Sequence, residues 1–413
     1  MNTLFNLLIF SLPLGVIFRI APFQGVAVYL YDLVTGIILF YFIFLITIRK
    51  KKIPSKKLFT VITIFLLIGF VSLIINSKYL SAQDFLISFA YLLRYASYAS
   101  IIFAMQFLST EFRSSVSKKL IIAGYIFVTL GFIQYFFYPN LRNLYYLGWD
   151  EHLYRFFSTF LDPNFAGTFL VLILILLSET IIGVRNEILK PFKGSLGWRV
   201  QNDKRIFVAF IMWTVTLVAI FLTYSRSALV MLLVVTSTFL IIHKFYRVVL
   251  VALSVFIISF FIFPNPNIQG LNPLRPASLE ARIESAQDAV KIISKNPILG
   301  VGFNAYRYAR IRYGLGGEED VLESHSGAGT DNGFLFVLAT TGIVGIIVFL
   351  DFWVNVFRII IPKLKSEFYA RVVLVSIISL SVNTIFINSL FYPPIMAWIF
   401  ILVGLTTLET REK

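Results

Sequence analysis

Runs of apolar residues, each close to 20 long and separated by charged connections, leave this 413-residue chain very few ways to fold. An α-helix of roughly 20 residues, rising about 1.5 Å per residue, just crosses a hydrocarbon core of about 30 Å. Backbone amides in lipid must bond within their own segment or close into a barrel. Barrel strands alternate polar and apolar residues, whereas a run such as Val61–Phe70 does not alternate. Charged residues make up 14% of the chain, against roughly 25% in a soluble domain. Helical spans are therefore expected.

Twelve spans are predicted, over 3–18, 25–48, 58–75, 85–108, 119–138, 166–183, 207–222, 228–242, 247–263, 333–351, 371–390 and 394–407. Met1–Ile20 lacks a basic start and reads as a retained first helix rather than a cleavable signal. With the N-terminus inside, the cytoplasmic connections and tail carry 23 Lys and Arg, while the short connections on the other side carry five. That asymmetry fixes the expected orientation with both termini in the cytoplasm, because positive charge is retained on the cytoplasmic side. The fold class is an all-α polytopic bundle, residues 1–413 forming one membrane domain. The net charge of +15 lies between the spans, where it sets orientation and attracts anionic lipid. No nucleic-acid partner is expected. The chain has no cysteine, which removes disulfides, thiolate metal sites and cysteine nucleophiles.

Two outer segments stand apart. One is the aromatic-rich stretch 139–165, ending in Phe157-Ser-Thr-Phe-Leu-Asp-Pro-Asn164. The other, Pro264–Asn332, is 69 residues long, and loops beyond about 15 residues are usually functional or disordered. Within it Leu279, Ile283, Ala286, Val290 and Ile293 recur at helical spacing. With Ser278 as N-cap and Pro297 as the stop, they predict an amphipathic helix lying across the outer mouth, its stripe on the bundle or the lipid. The expected catalytic loop is thus 264–332.

Three motifs fall on that same side: Arg155-Phe-Phe-Ser-Thr-Phe-Leu-Asp-Pro-Asn164-Phe-Ala-Gly; Thr223-Tyr-Ser-Arg226-Ser-Ala228; and Arg282 through Asn296-Pro-Ile-Leu-Gly300-Val-Gly302, then Asp331-Asn-Gly-Phe-Leu and Thr341-Gly-Ile-Val-Gly345. In order and spacing, over about residues 155–350, they resemble the O-antigen ligase and polymerase superfamily of lipid-linked glycan enzymes (Wzy- and WaaL-like). One departure stands out. Where many members carry His before the Asn, this chain has Asp331, with a histidine six residues earlier at His325.

The resemblance implies transfer of a glycan from a polyprenyl diphosphate donor to a sugar hydroxyl on a lipid-linked acceptor. The site would face the periplasm from the bacterial plasma (inner) membrane and use neither metal nor other cofactor. Flippase and chain-length regulator proteins are the partners such enzymes keep. A departing diphosphate beside lipid needs fixed cations, for which the planar guanidinium is best suited. Arg226, Arg282 and Arg155 are the expected diphosphate ligands. His325 or Asp331 is the expected catalytic base, and Arg94, Asn164, Asn332 and Arg307 are possible supporting residues.

Each residue also has a plainer reading. Arg226 can anchor its hairpin by snorkelling, Arg282 can be the polar edge of the surface helix, and Asp331 and Asn332 can cap the span that follows them. Arg155 can pair with Asp150 or Glu151, and His325 can be a solvated loop residue. Arg94, inside the fourth span, can be glue for Asp32, and Gly300 and Gly302 can merely let the chain turn. Asp331 in place of His inclines the reading toward a polymerase over a ligase. A lipid-linked oligosaccharide transporter or flippase is the rival from another class; it would expect broken helices and midplane charge.

Overall fold

The computed structural model describes residues 1–23, 26–53, 55–188, 196–243, 276–316 and 329–407. The chain is helical almost throughout: α1 Asn2–Ser11, α2 Leu30–Thr47, α3 Lys56–Asn76, α4 Ala82–Ala104, α5 Thr110–Phe137, α6 Pro163–Ile188, α7 Leu196–Leu222, α8 Arg226–His243, α9 Pro276–Lys295, α10 Tyr306–Arg312, α11 Gly333–Ile360, α12 Phe368–Asn383 and α13 Pro393–Thr406. Among the described residues seven helical segments are long and apolar enough to cross a membrane, and four more are apolar but shorter. Eleven of the twelve expected spans coincide with these segments. The remaining one, 247–263, lies outside the described residues.

Several boundaries need correction: the first helix ends at Ser11 and not at 18, the fifth starts at Thr110 and not at 119, and α12 ends at Asn383 and not at 390. The second span starts at Leu30, not at residue 25, because Arg19–Phe23 and Val26–Tyr29 are paired antiparallel, Arg19 with Tyr29 and Ile20 with Val28. The helix begins where Asp32 supplies a cap, its Oδ2 accepting the Tyr29 amide at 2.9 Å.

The centre of the bundle is α13, buried on all sides from Pro394 to Thr406, with Trp398 fully enclosed. A helix apolar all round has no solvent face to offer and belongs inside. Its neighbour α6 is also largely buried. At the end of α6 remote from Pro163, the fully buried Glu179 accepts from Arg371 Nε and meets His243 Nε2 at 2.9 Å. This ion cluster ties α6, α8 and α12 together. Sequence spacing gave no hint of it.

The long helix α11 is broken. Gly342 has φ +67° inside it, so hydrogen bonds of the helical ladder are lost on either side. The Pro297–Gly302 segment replaces them. Val301 N and Gly302 N donate to the carbonyls of Ala339 and Thr340, while Ile343 N and Val344 N donate to those of Pro297 and Ile298. Ser72 Oγ, at 2.5 and 3.0 Å, caps the Leu299 and Thr340 carbonyls, and Asn76 Nδ2 holds Gly300 O at 3.1 Å. Irregular backbone among spans persists only where protein satisfies it, and the turn segment Pro-Ile-Leu-Gly-Val-Gly does so here. Gly300 sits at φ +69°, and a Cβ there would lie 2.5 Å from the Thr340 carbonyl carbon.

The expected amphipathic helix exists as α9. It starts at Pro276, two residues ahead of the Ser278 N-cap, with proline in the position where its missing N–H costs nothing. Its packed face is not the expected stripe: Ala289 and Ile292, joined by Ile293, pack in a small core with Val301, Tyr306 and Phe336, whereas Leu279, Ile283 and Val290 of that stripe are exposed.

Candidate functional site

Three segments converge at the end of the bundle where α9 lies. The first is the hairpin between α7 and α8. Thr223 Oγ1 accepts the Ser225 amide and Tyr224 adopts φ +50°, so the chain reverses within three residues and Arg226 becomes the first residue of α8. The second is α9, which carries Arg282. The third is the turn Thr330–Asn332 that opens α11. There Asn332 Oδ1 accepts the amides of Phe334 and Leu335 at 2.9 and 3.1 Å, a side-chain N-cap.

Asn332 therefore takes the capping role, and Asp331 does not. The Asp331 amide donates to Ser285 Oγ of α9 at 3.3 Å, and its side chain lines two adjoining cavities. The smaller, about 360 Å³, is bounded by Arg226, Arg282 and Asp331, with Ser227, Thr330 and Asn332, on its polar side, and Val230, Leu279, Ile283 and Phe386 supply apolar walls. The larger, about 610 Å³, has polar and aromatic walls that include Arg94, His152, Asp162, Asn164 and Asn388. Arg282, Thr330 and Asp331 belong to both. They form the wall between them.

The electrostatics follow from this crowding. Burial lowers the Arg282 pKa, and the neighbouring Arg226 lowers it further, while Asp331 and Asp162 act the other way. Two guanidinium groups close enough to repel are uncomfortable without an anion between them. Burial raises the Asp331 pKa; Arg282 partly offsets this and Asp162 reinforces it. Asp162 is raised for the same first reason, opposed by the amides of Asn164 and Phe165 and by Arg155 and Arg282. The result is two arginines and a carboxylate with elevated affinity for a proton, beside an apolar cleft. Such a set can hold a polyanion and take up a proton.

The O-antigen ligase family (Wzy_C) matches residues 207–350, a stretch that contains Arg226, Arg282, Asp331 and the break in α11. The match supports the resemblance to the O-antigen ligase and polymerase superfamily over this stretch. A search of curated proteins finds no match. Members of this superfamily are membrane glycosyltransferase-like enzymes, and the fold has the apolar multi-pass character that such an activity requires.

Other residues singled out in the sequence fall outside the matched stretch or away from the cavities. Arg155 is 3% exposed; its Nε donates to Thr223 O at 2.8 Å and a terminal nitrogen reaches Tyr224 O at 3.4 Å. It is absent from both cavity walls. Glu151 pairs with Arg142 instead. Arg155 thus holds the hairpin that presents Arg226. Asn164 lines the larger cavity and accepts from Ser225 Oγ at 2.9 Å, tying the start of α6 to the same hairpin. Arg94 both bonds Asp32, at 2.9 Å, and lines the larger cavity; Tyr98 OH adds a bond to Asp32 at 2.7 Å.

Arg307 lines neither cavity. Arg310 is engaged by Asp288, and Arg312 by the Tyr313 hydroxyl and by the Tyr79 ring 4.2 Å away. The guanidinium cluster expected from the sequence therefore narrows to Arg226 and Arg282, with Arg94 in the adjoining cavity. His325 lies outside the described residues. His152, which the sequence gave no reason to notice, lines the larger cavity with its backbone at φ +44°.

Proposed function

We propose that the chain is a polysaccharide polymerase of the O-antigen ligase and polymerase superfamily, extending a glycan by transfer from a polyprenyl diphosphate donor to a hydroxyl of a lipid-linked acceptor. One observation carries the reading: Arg226 and Arg282 line one cleft beside the apolar side chains of Val230, Leu279, Ile283 and Phe386, with Asp331 on the wall it shares with a more polar cavity. The apolar walls suit the first isoprene units, and the arginines suit the diphosphate.

In the reaction the acceptor hydroxyl oxygen bonds to the anomeric carbon of the donor. The bond from that carbon to the phosphate oxygen breaks, and the diphosphate departs with the electron pair. Arg226 and Arg282 stabilise the charge gathering on it, in a setting of low dielectric where fixed donors act most strongly. Asp331 accepts the hydroxyl proton, a task its raised pKa favours; His325 is the alternative base. The expected orientation, from the charge asymmetry of the connections, puts this end of the bundle on the periplasmic face of the inner membrane.

The matched family is described as O-antigen ligase, which favours a second reading, transfer of a finished glycan to a different acceptor. Reconstitution in vesicles with a defined polyprenyl diphosphate oligosaccharide separates them. Longer chains on the lipid carrier mean polymerase, and transfer only to an added lipid anchor means ligase. Sugar crossing the vesicle membrane with no new glycosidic bond would remove both.

A further inference from the structure

The larger cavity has chemistry that diphosphate binding does not use. Tyr91, Trp149, Phe165 and Tyr392 contribute aromatic rings, and Asn388 and Asp150 contribute polar groups. Arg94 stands 4.7 Å over the Tyr91 ring and so fixes its position. Tyr392 lies flat on Phe165, ring centroids 4.1 Å apart and 10° from parallel. Rigid rings beside amides and carboxylates are the surface that sugars ask for: apolar C–H faces rest on the rings, and hydroxyls bond the polar groups. At about 610 Å³ the cavity lies within the usual size of a ligand site.

Two polar atoms of the lining residues also lack a partner. Asn388 Oδ1 and the Tyr392 hydroxyl are both buried and have no hydrogen-bond partner among the described residues. Buried polar atoms of this kind are ordinarily satisfied, and both belong to residues lining this cavity. The surrounding turns are also backbone-strained, with His152 and Tyr154 at φ +44° and +51°, a feature that gathers at ligand sites.

We propose that the larger cavity is the acceptor-glycan subsite, in which Asn388 and Tyr392 bind sugar hydroxyls and from which the attacking hydroxyl reaches Asp331 on the shared wall. This rests on reading the smaller cavity as the diphosphate site. It divides the two substrates by chemistry: lipid diphosphate on the apolar, cationic side and glycan on the aromatic, polar side. The scissile bond then falls beside Arg282 and Asp331.

The test uses the full-length protein in lipid nanodiscs and equilibrium dialysis with two labelled probes. One is the oligosaccharide released by mild acid from the host's lipid-linked pool, which carries no phosphate; the other is a polyprenyl diphosphate bearing no sugar. The native protein is expected to bind both. Tyr392→Phe, which keeps the ring on Phe165, and Asn388→Ala should each weaken the oligosaccharide roughly three- to tenfold, the worth of one hydrogen bond or so, with lipid binding unchanged. Arg226→Ala should do the reverse.

An oligosaccharide that fails to bind while the lipid binds overturns the subsite, as does binding that neither variant weakens. Competition between the free oligosaccharide and a non-cleavable phosphonate donor also overturns it, since the cavity would then hold the donor's own sugars. Failure of the lipid probe sinks the diphosphate site itself, and the acceptor role with it.

Discussion

Arg282 and Asp331 stand together on the wall between two cavities, each shifting the other's protonation. Their coupling sets a pH dependence whose sign is fixed. Asp331 must be ionised to act as a base, and burial raises its pKa above the ordinary value near 3.9. Activity should therefore rise with pH along an acid limb displaced upward from that of an exposed aspartate. Asp162 contributes to the displacement by like-charge repulsion. Asp162→Asn removes that charge yet keeps an oxygen able to accept the Asn164 and Phe165 amides that Asp162 Oδ1 now holds at 2.6 and 3.2 Å. The limb should move toward lower pH in this variant. A rate–pH profile of chain growth measures it, and a limb that stays put, or moves up, would rule out Asp331 as the titrating base.

Arg226 and Arg282 are expected to act late, when charge collects on the departing diphosphate. Replacing either with alanine should lower the turnover rate by about 10²–10³, the usual loss of one fixed donor to a developing anion. Lysine should restore only part of it, because an ammonium cannot match the paired oxygens. Steady-state assays with lipid-linked donor decide the matter; normal chain growth in both alanine variants would end the proposed mechanism.

Asp331 and Asn332 are adjacent in sequence but separate in role. Asn332→Ala loses the cap that accepts from Phe334 and Leu335, and should cost about 1 kcal/mol of stability with turnover largely retained. Asp331→Asn should do the opposite, abolishing turnover at nearly unchanged thermal stability. Differential scanning of both proteins beside the glycan assay shows whether the two effects divide this way.

Much of the bundle was readable from the sequence because span length is dictated by the bilayer rather than by packing. The pairing of Arg19–Phe23 with Val26–Tyr29 was not. Val26-Ala-Val-Tyr29 is as apolar as the helix that follows, and four residues are too few for a period of two to show against 3.6. The site was legible in part. Arg226, Arg282 and Asp331 could be chosen because their motifs place them on one side of the membrane. Arg155 was chosen with them and does not share their cleft, since spacing says nothing of which carbonyl a guanidinium meets. The larger cavity escaped notice for the same reason. Its walls come from Tyr91, Asp162, Asn388 and Tyr392, far apart in the chain, and no local pattern marks them.

The transporter reading expects a broken helix, and α11 is one, so its break is the place to press the enzyme reading. In a transporter the freed backbone groups of a break serve the cargo. Here those of Ala339, Thr340, Ile343 and Val344 are bonded to the Pro297–Gly302 segment and Ser72. The break is thus structural, and its glycine is expected to matter for folding. A Cβ at Gly342 would lie 2.1 Å from the Ile298 carbonyl oxygen, at a φ that side chains rarely adopt. Gly342→Ala should destabilise the protein by at least about 2 kcal/mol from strain at this φ and displacement of the Pro297–Gly302 segment. Ser72→Ala, which removes only the bonds to the Leu299 and Thr340 carbonyls, should cost about 1–2 kcal/mol. Thermal unfolding in detergent ranks the two. If Gly342→Ala were instead as stable as the native protein but failed to bind the diphosphate lipid, the break would be part of the substrate site and not a scaffold for it.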